Sequence, residues 1–227
     1  MAIERIVSQD ASGTNAGATV SATYAASPTK GNLLVAFVMS VKGPGTNTLT
    51  GWTNIQETTW NTSAHSATCF AKISDGTESA TVTATAAAAT NMRIAIFELS
   101  GAPAGTAPKV LLSSAGDNLA STTARNENGT GWPTDGNLHC YHFSFIGWHV
   151  AVGAGSQQYG GGTPLYASTR FAVHGESELT DHSTHVVGGG TTHARQWNWT
   201  TNAFSGIGSV TFAVEEPTQM MTGIGPT

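Results

Sequence analysis

The hydrophobic pattern of the chain has a centre at residues 32–41, where Leu33, Val35, Phe37, Met39 and Val41 alternate with Leu34, Ala36, Val38 and Ser40. Successive side chains of a strand point to opposite faces, so a segment apolar at both sets of positions predicts a central strand covered on both sides. Residues 92–101, with Ile94, Ile96, Phe97 and Leu99, predict a second strand of this kind. Residues 66–74 and 209–215 alternate more cleanly, the latter with Val210, Phe212 and Val214 inward against Thr211, Ala213 and Glu215 outward. Shorter strands are expected at residues 3–7, 19–24, 51–56, 78–85, 166–174, 181–187 and 193–200, and residues 110–120 read as a strand followed by a turn. Residues 138–152 read as one long strand or a hairpin broken at Gly147, while residues 125–134 and 153–164 read as loops. The alanine-rich residues 83–90 lie between strand patterns and are too short for an isolated helix, so they read as an edge strand and loop.

The opening Gly31, Asn32, Leu33 of the central strand returns as Gly136, Asn137, Leu138, which makes the second half a diverged echo of the first. Pro103 and Pro108 mark a linker near that junction. A half with four or five strands would leave open edges and an uncovered face, and pairing the halves removes both problems. The expected fold is therefore all-β, an antiparallel two-sheet β-sandwich built as one domain over residues 1–216 from halves 1–101 and 109–216. Its core is expected to hold Leu33, Val35, Phe37, Ile94, Ile96, Val210 and Phe212. Residues 217–227 continue past the strand pattern with Met220, Met221 and Ile224 and no clear period, as an arm lying on a neighbouring subunit would.

The order Gly31-Asn-Leu-Leu-Val, Gly51-Trp-Thr, Ala71-Lys-Ile-Ser before Asp75-Gly, and Ile96-Phe-Glu-Leu-Ser-Gly101 resembles jelly-roll-like β-sandwich proteins. Such sequences recur among tailed-phage virion proteins and some bacterial surface proteins. The resemblance covers residues 18–101 well and the second half weakly, where His139, His142 and His149 take apolar positions. It implies a structural, non-enzymatic role in the virion, as a capsid decoration or cement protein or another particle-surface building block. Its motifs are structural, so they bear on fold more than on function.

Composition sharpens this picture through charge. Only 10% of residues are Asp, Glu, Lys or Arg, well below the usual share, and Gly, Ala, Ser and Thr take their place. A surface of hydroxyls and amides can be covered by a neighbour with little ionic desolvation cost, so other virion proteins and further copies of the chain are the expected partners, in a homo-oligomer. The net charge of −5, with the basic residues scattered, argues against nucleic acid. No apolar run reaches the roughly 20 residues of a membrane span, and the N-terminus shows no signal-peptide pattern, so synthesis in a host cytoplasm is expected.

Chemistry is sparse. Cys69 and Cys140 lack metal or redox spacing and read as small buried residues. His182 and His185, three apart, would face opposite sides of a strand, which argues against a shared metal, and no cofactor is expected. No nucleophile motif stands out, and Glu98, the acid within an otherwise buried strand, is expected to meet a cation or sit at an edge rather than act as an acid. The rival reading is a glycan-binding receptor module of a tail or fibre, directed at a host surface glycan. Trp197 and Trp199 share a strand face, and Tyr159 and Tyr166 lie in the same aromatic-rich half. Filling of the core is the competing role for these rings.

Overall fold

The computed structural model describes residues 3–42, 47–61, 64–101, 109–115, 122–127, 137–148, 156–159, 177–187, 195–203 and 205–215. These are all-β, with one short 3-10 turn at Val7–Gln9. The first half contributes β1 (Glu4–Arg5), β2 (Ala11–Asn15), β3 (Thr19–Thr23), β4 (Leu33–Lys42), β5 (Asn47–Thr48), β6 (Thr53–Trp60), β7 (His65–Ile73), β8 (Thr81–Ala86) and β9 (Ala89–Ser100). The second contributes β10 (Lys109–Ala115), β11 (Thr122–Glu127), β12 (Asn137–Trp148), β13 (Ser156–Tyr159), β14 (Ser177–Val187), β15 (Arg195–Ala203) and β16 (Ser205–Glu215).

Among the described residues every pairing is antiparallel, and the strands divide into four sheets. The large sheet runs β1-β9-β4-β7-β6, with β2 also on β9, and a small sheet β3-β8-β5 accompanies it. The second half forms β10-β16-β12-β14 and β11-β15-β13. The order β2-β9-β4-β7 thus recurs as β10-β16-β12-β14, and β3-β8-β5 recurs as β11-β15-β13, each strand taking the same place in the chain. Among the described residues, β1 and β6 have no counterpart in the second half.

The central strand β4 lies between β9 and β7, in the expected place, and both of its faces are buried. On one face Leu33, Val35, Phe37 and Met39 join Ala95, Phe97 and Leu99 of β9 and meet Tyr141, Phe143 and Phe145 of β12 and Val210 and Phe212 of β16. Phe37 lies 5.1 Å from Phe143 and 5.4 Å from Phe145 between ring centroids, and Phe97 lies 5.1 Å from Phe143. On the other face Leu34, Ala36 and Val38 join Met92, Ile94 and Ile96 and meet Val20, Ala22, Val82 and Ala84 of the small sheet. There are therefore two cores, and Ile94 and Ile96 belong to the second, because they alternate with the Ala95 and Phe97 that face the first.

Several expected elements are placed differently. β8 is the middle strand of its sheet rather than an edge, since Val82, Ala84 and Ala86 are buried while Thr81, Thr83 and Thr85 form an outer row. That row pairs hydroxyls across the sheet: Ser21 with Thr83 at 2.7 Å, Thr23 with Thr81 at 3.0 Å and Thr48 with Thr85 at 2.6 Å. The expected loops at residues 125–134 and 153–164 take in the end of β11 and the whole of β13, whose polar sequences give no strand period. The place that β7 holds beside β4 is held beside β12 by β14, whereas the strand expected at residues 166–174 lies outside the described residues. The outward positions Thr211 and Ala213 of β16 are buried as well, so this strand too is covered on both faces.

Candidate functional site

The aromatic residues considered for glycan stacking fall on the sheet β11-β15-β13. Register places Trp197 of β15 across from Arg125 and Gln157, Gln196 across from Asn126 and Gln158, and Arg195 across from Glu127 and Tyr159. Trp199 lies two positions further along β15. Trp197 and Tyr159 are thereby brought onto adjacent strands of one sheet, among amide-bearing positions. Tyr166 lies outside the described residues, as do Met220, Met221 and Ile224 of the arm.

Several buried polar groups of the first half have structural partners. Glu98 is fully buried in β9, which lies within its sheet, so it is not at an edge. Instead of a cation, its carboxylate accepts hydrogen bonds from Gln9 Nε2 at 3.0 Å, the Thr29 backbone N–H at 2.8 Å and Asn32 Nδ2 at 2.6 Å. These donors tie the 3-10 turn and the segment leading into β4 to the end of β9, which suits a charge excluded from water. Burial, with the nearby Glu98 charge, pushes the Tyr24 hydroxyl well above the usual tyrosine range, and that hydroxyl donates to the Phe97 carbonyl at 3.2 Å. Asn47 Nδ2 lies 3.1 Å from the Val38 carbonyl, 3.1 Å from Ser66 Oγ and 3.0 Å from Thr68 Oγ1, pinning short β5 to the large sheet.

The two halves meet around Trp60, which is fully buried at the end of β6. It stacks on His65 of β7, its register partner, with ring centroids 5.5 Å apart and planes 22° from parallel. Its indole rests on a floor made by Gly147 and Gly206, which are register partners on β12 and β16. A Cβ at Gly147 would stand 2.5 Å from Trp60 Cη2, and one at Gly206 would overlap the indole outright. Only a strand pair without side chains at this level admits the ring. β6, one of the strands lacking a counterpart, thus carries a contact between the halves.

Register also resolves the histidines. β12 and β14 pair His139 with His185 and His142 with His182, one pair on each face of the sheet. His142 is buried, with Nδ1 2.7 Å from Thr211 Oγ1 of β16. Cys140 lies two residues before His142 and therefore on the same face. That spacing was readable in the sequence; the pairing across strands was not. Both cysteines are free and buried, and burial pushes the Cys69 thiol well up and the Cys140 thiol up to about 11. His149, His174 and His193 lie outside the described residues.

No helix among the described residues is long and apolar enough to cross a membrane. A scan with protein-family models and searches of curated proteins and of solved structures each return no match to the chain.

Proposed function

We propose that the chain is a structural protein of a tailed-phage particle, built from two diverged copies of one jelly-roll-like unit and acting as a decoration or cement block on the particle surface. The observation that carries this reading is the combination of sheets stacked over two apolar cores with a composition only 10% charged. Stacked, covered sheets make a stiff block, and a surface poor in ions can be covered by a neighbour without stranding unpaired charge. The arm at residues 217–227 would add main-chain pairing or seat Met220, Met221 and Ile224 in a neighbouring copy. Homo-oligomeric assembly and contact with other capsid or tail proteins follow from the same reading.

The test is to add the purified chain to particles lacking it and to separate bound from free protein by sedimentation. Saturable binding by the full chain, weakened by deletion of residues 217–227 while the circular dichroism spectrum is retained, is the expected result. Absence of binding by the intact chain would overturn the particle assignment; unchanged binding by the truncated chain would overturn the arm alone.

One observation favours a second reading. The register of β11-β15-β13 places Trp197 level with Arg125 and Gln157 on one face, with Arg195 and Tyr159 two positions along the same face, residue types that stack on and hydrogen-bond to sugar rings. A glycan-binding module of a tail or fibre would show carbohydrate binding that Trp197→Ala removes, and would be found at a distal position on the particle.

A further inference from the structure

We infer that the free edge of β8 is the docking site for residues 217–227 of a neighbouring copy, which add a strand to the small sheet β3-β8-β5; the inference rests on the arm reading above and names the surface that receives the arm. Hydrogen-bond direction defines this edge. The Ala86 N–H donates to the Ala18 carbonyl and the Tyr24 N–H to the Ala80 carbonyl, each at 2.9 Å, so Ala80, Val82, Ala84 and Ala86 turn their backbone groups toward β3. Thr81, Thr83 and Thr85 turn theirs the other way, toward β5. Yet β5 covers only Thr85 and Ala86. A turn at residues 49–52, with the Trp52 N–H on the Leu49 carbonyl at 3.2 Å and Gly51 at φ +80°, ends β5 there. The Thr81 N–H is met by Ser79 Oγ at 3.1 Å, while the Thr83 N–H and C=O and the Thr81 C=O have no strand partner among the described residues. An added antiparallel strand would exchange two hydrogen bonds with Thr83 and donate a third to Thr81.

Sheet edges are ordinarily guarded by charge, proline or a bulge. β6, at the edge of the large sheet, carries Glu57 and a bulge between Asn54 and Gln56. β8 is Thr-Val-Thr-Ala-Thr-Ala, with neither charge nor proline, and keeps an unbroken register with β3. Its outward hydroxyls already pair within the sheet, so a strand laid beside it strands no ion and competes with no side chain for the free backbone groups.

Residues 217–227 suit this edge in chemistry and reach. They carry no charge, and residues 218–225, between Pro217 and Pro226, all have the N–H that strand pairing needs. Fully extended, the segment spans about 36–40 Å. A neighbour is the recipient because β16 packs on one face of the large sheet and β8 on the other, two sheet spacings or about 20 Å apart, so a copy's own large sheet stands between its arm and its β8. Trp52, partly buried against the second core at the end of the turn that halts β5, offers an aromatic neighbour to the thioether of Met220 or Met221.

The experiment measures self-association of the full chain by sedimentation velocity over a range of concentrations, with hydrogen exchange at β8 followed in associated and in dilute samples. Association should protect the Thr83 amide. Deletion of residues 217–227 should remove that protection and weaken association by about tenfold or more, the scale of a few main-chain hydrogen bonds. Thr83→Pro removes the outward N–H while sparing the ladder to β3, so it should weaken association to a similar degree, with little further loss when combined with the deletion. Circular dichroism reports whether Thr83→Pro is folded; if it is not, hydrogen exchange of the native and truncated chains decides. A chain that stays monomeric overturns the proposal, and so does a Thr83 amide equally protected in dilute monomer, which would place the arm on its own copy. If the deletion weakens association but leaves exchange at Thr83 unchanged, the arm docks elsewhere, and this proposal falls while the arm reading survives. If the deletion changes neither, both fall.

Discussion

At the scale of single residues, the polar groups that look chemically suggestive are held by hydrogen bonds that organise the backbone. Glu98 closes a cage of amide donors, and Glu78 does the same for the turn between β7 and β8. Its carboxylate accepts from the Asp75 and Gly76 backbone N–H groups at 2.9 and 3.0 Å and from Ser74 Oγ at 2.7 Å, and it pairs with Lys72 Nζ at 3.0 Å. Burial alone would push this carboxyl up, but the hydrogen bonds from Asp75 and Ser74 and the contact with Lys72 bring it down to about 2. A carboxylate whose folded value is depressed stabilises the fold above its unfolded value and ceases to do so as pH falls through its folded one. Glu78→Gln should therefore unfold at lower denaturant than the native chain near neutral pH, and the gap should narrow as pH drops from about 4.5 to about 2. A gap independent of pH in acid titrations of denaturation would show that the charge contributes nothing. At the same turn Gly76 takes φ +85°, and a Cβ there would stand 2.9 Å from Lys30 Cβ, so the position is closed to larger residues on two counts.

At the scale of elements, legibility in the sequence followed the hydrophobic period. β4 and β9 were readable because both of their faces are apolar, and a strand of that kind has to lie inside a stack. β11 and β13 were not, because residues such as Thr122, Arg125, Asn126, Gln157 and Gln158 give no alternation and their strand character rests on pairing with β15. The assignment of Ile94 and Ile96 to the wrong core has the same origin: period tells which residues share a face but not which sheet covers that face. The histidines show the limit most plainly. The relation between Cys140 and His142 lies along one strand and can be counted, whereas that between His142 and His182 depends on register across roughly forty residues of chain. Register also built the glycine floor beneath Trp60, since Gly147 and Gly206 become one feature only when β12 and β16 pair. Gly206→Ala should cost about 1–3 kcal/mol by forcing the indole out of its seat. Equilibrium denaturation followed by tryptophan fluorescence reads this directly, and an unshifted midpoint would mean that Trp60 packs elsewhere.

At the scale of the whole molecule, the repeated strand order and the shared core pull in different directions. The repeat suggests two units, yet Phe37 and Phe97 from one half share a single apolar cluster with Phe143 and Phe212 from the other. Core sharing should dominate the thermodynamics, because separating the halves would expose that aromatic layer to water. With a protease site engineered into residues 102–108, the cut chain should remain one species on size exclusion and unfold in one transition. Two separable folded fragments would show that each half is self-sufficient.

The double covering of β4 has a consequence for how the chain is made. A ribosome delivers β4, β7 and β9 long before β12 and β16 exist, so the nascent first half can seat its small sheet but must wait with Phe37, Phe97 and Trp60 facing outward. During that interval the growing polypeptide carries a broad greasy face, a natural client surface for a chaperone and a hazard in crowded synthesis. Maturation of the block is thus gated by the arrival of β16, which pairs with β12 and β10 and supplies Val210 and Phe212 to the waiting layer.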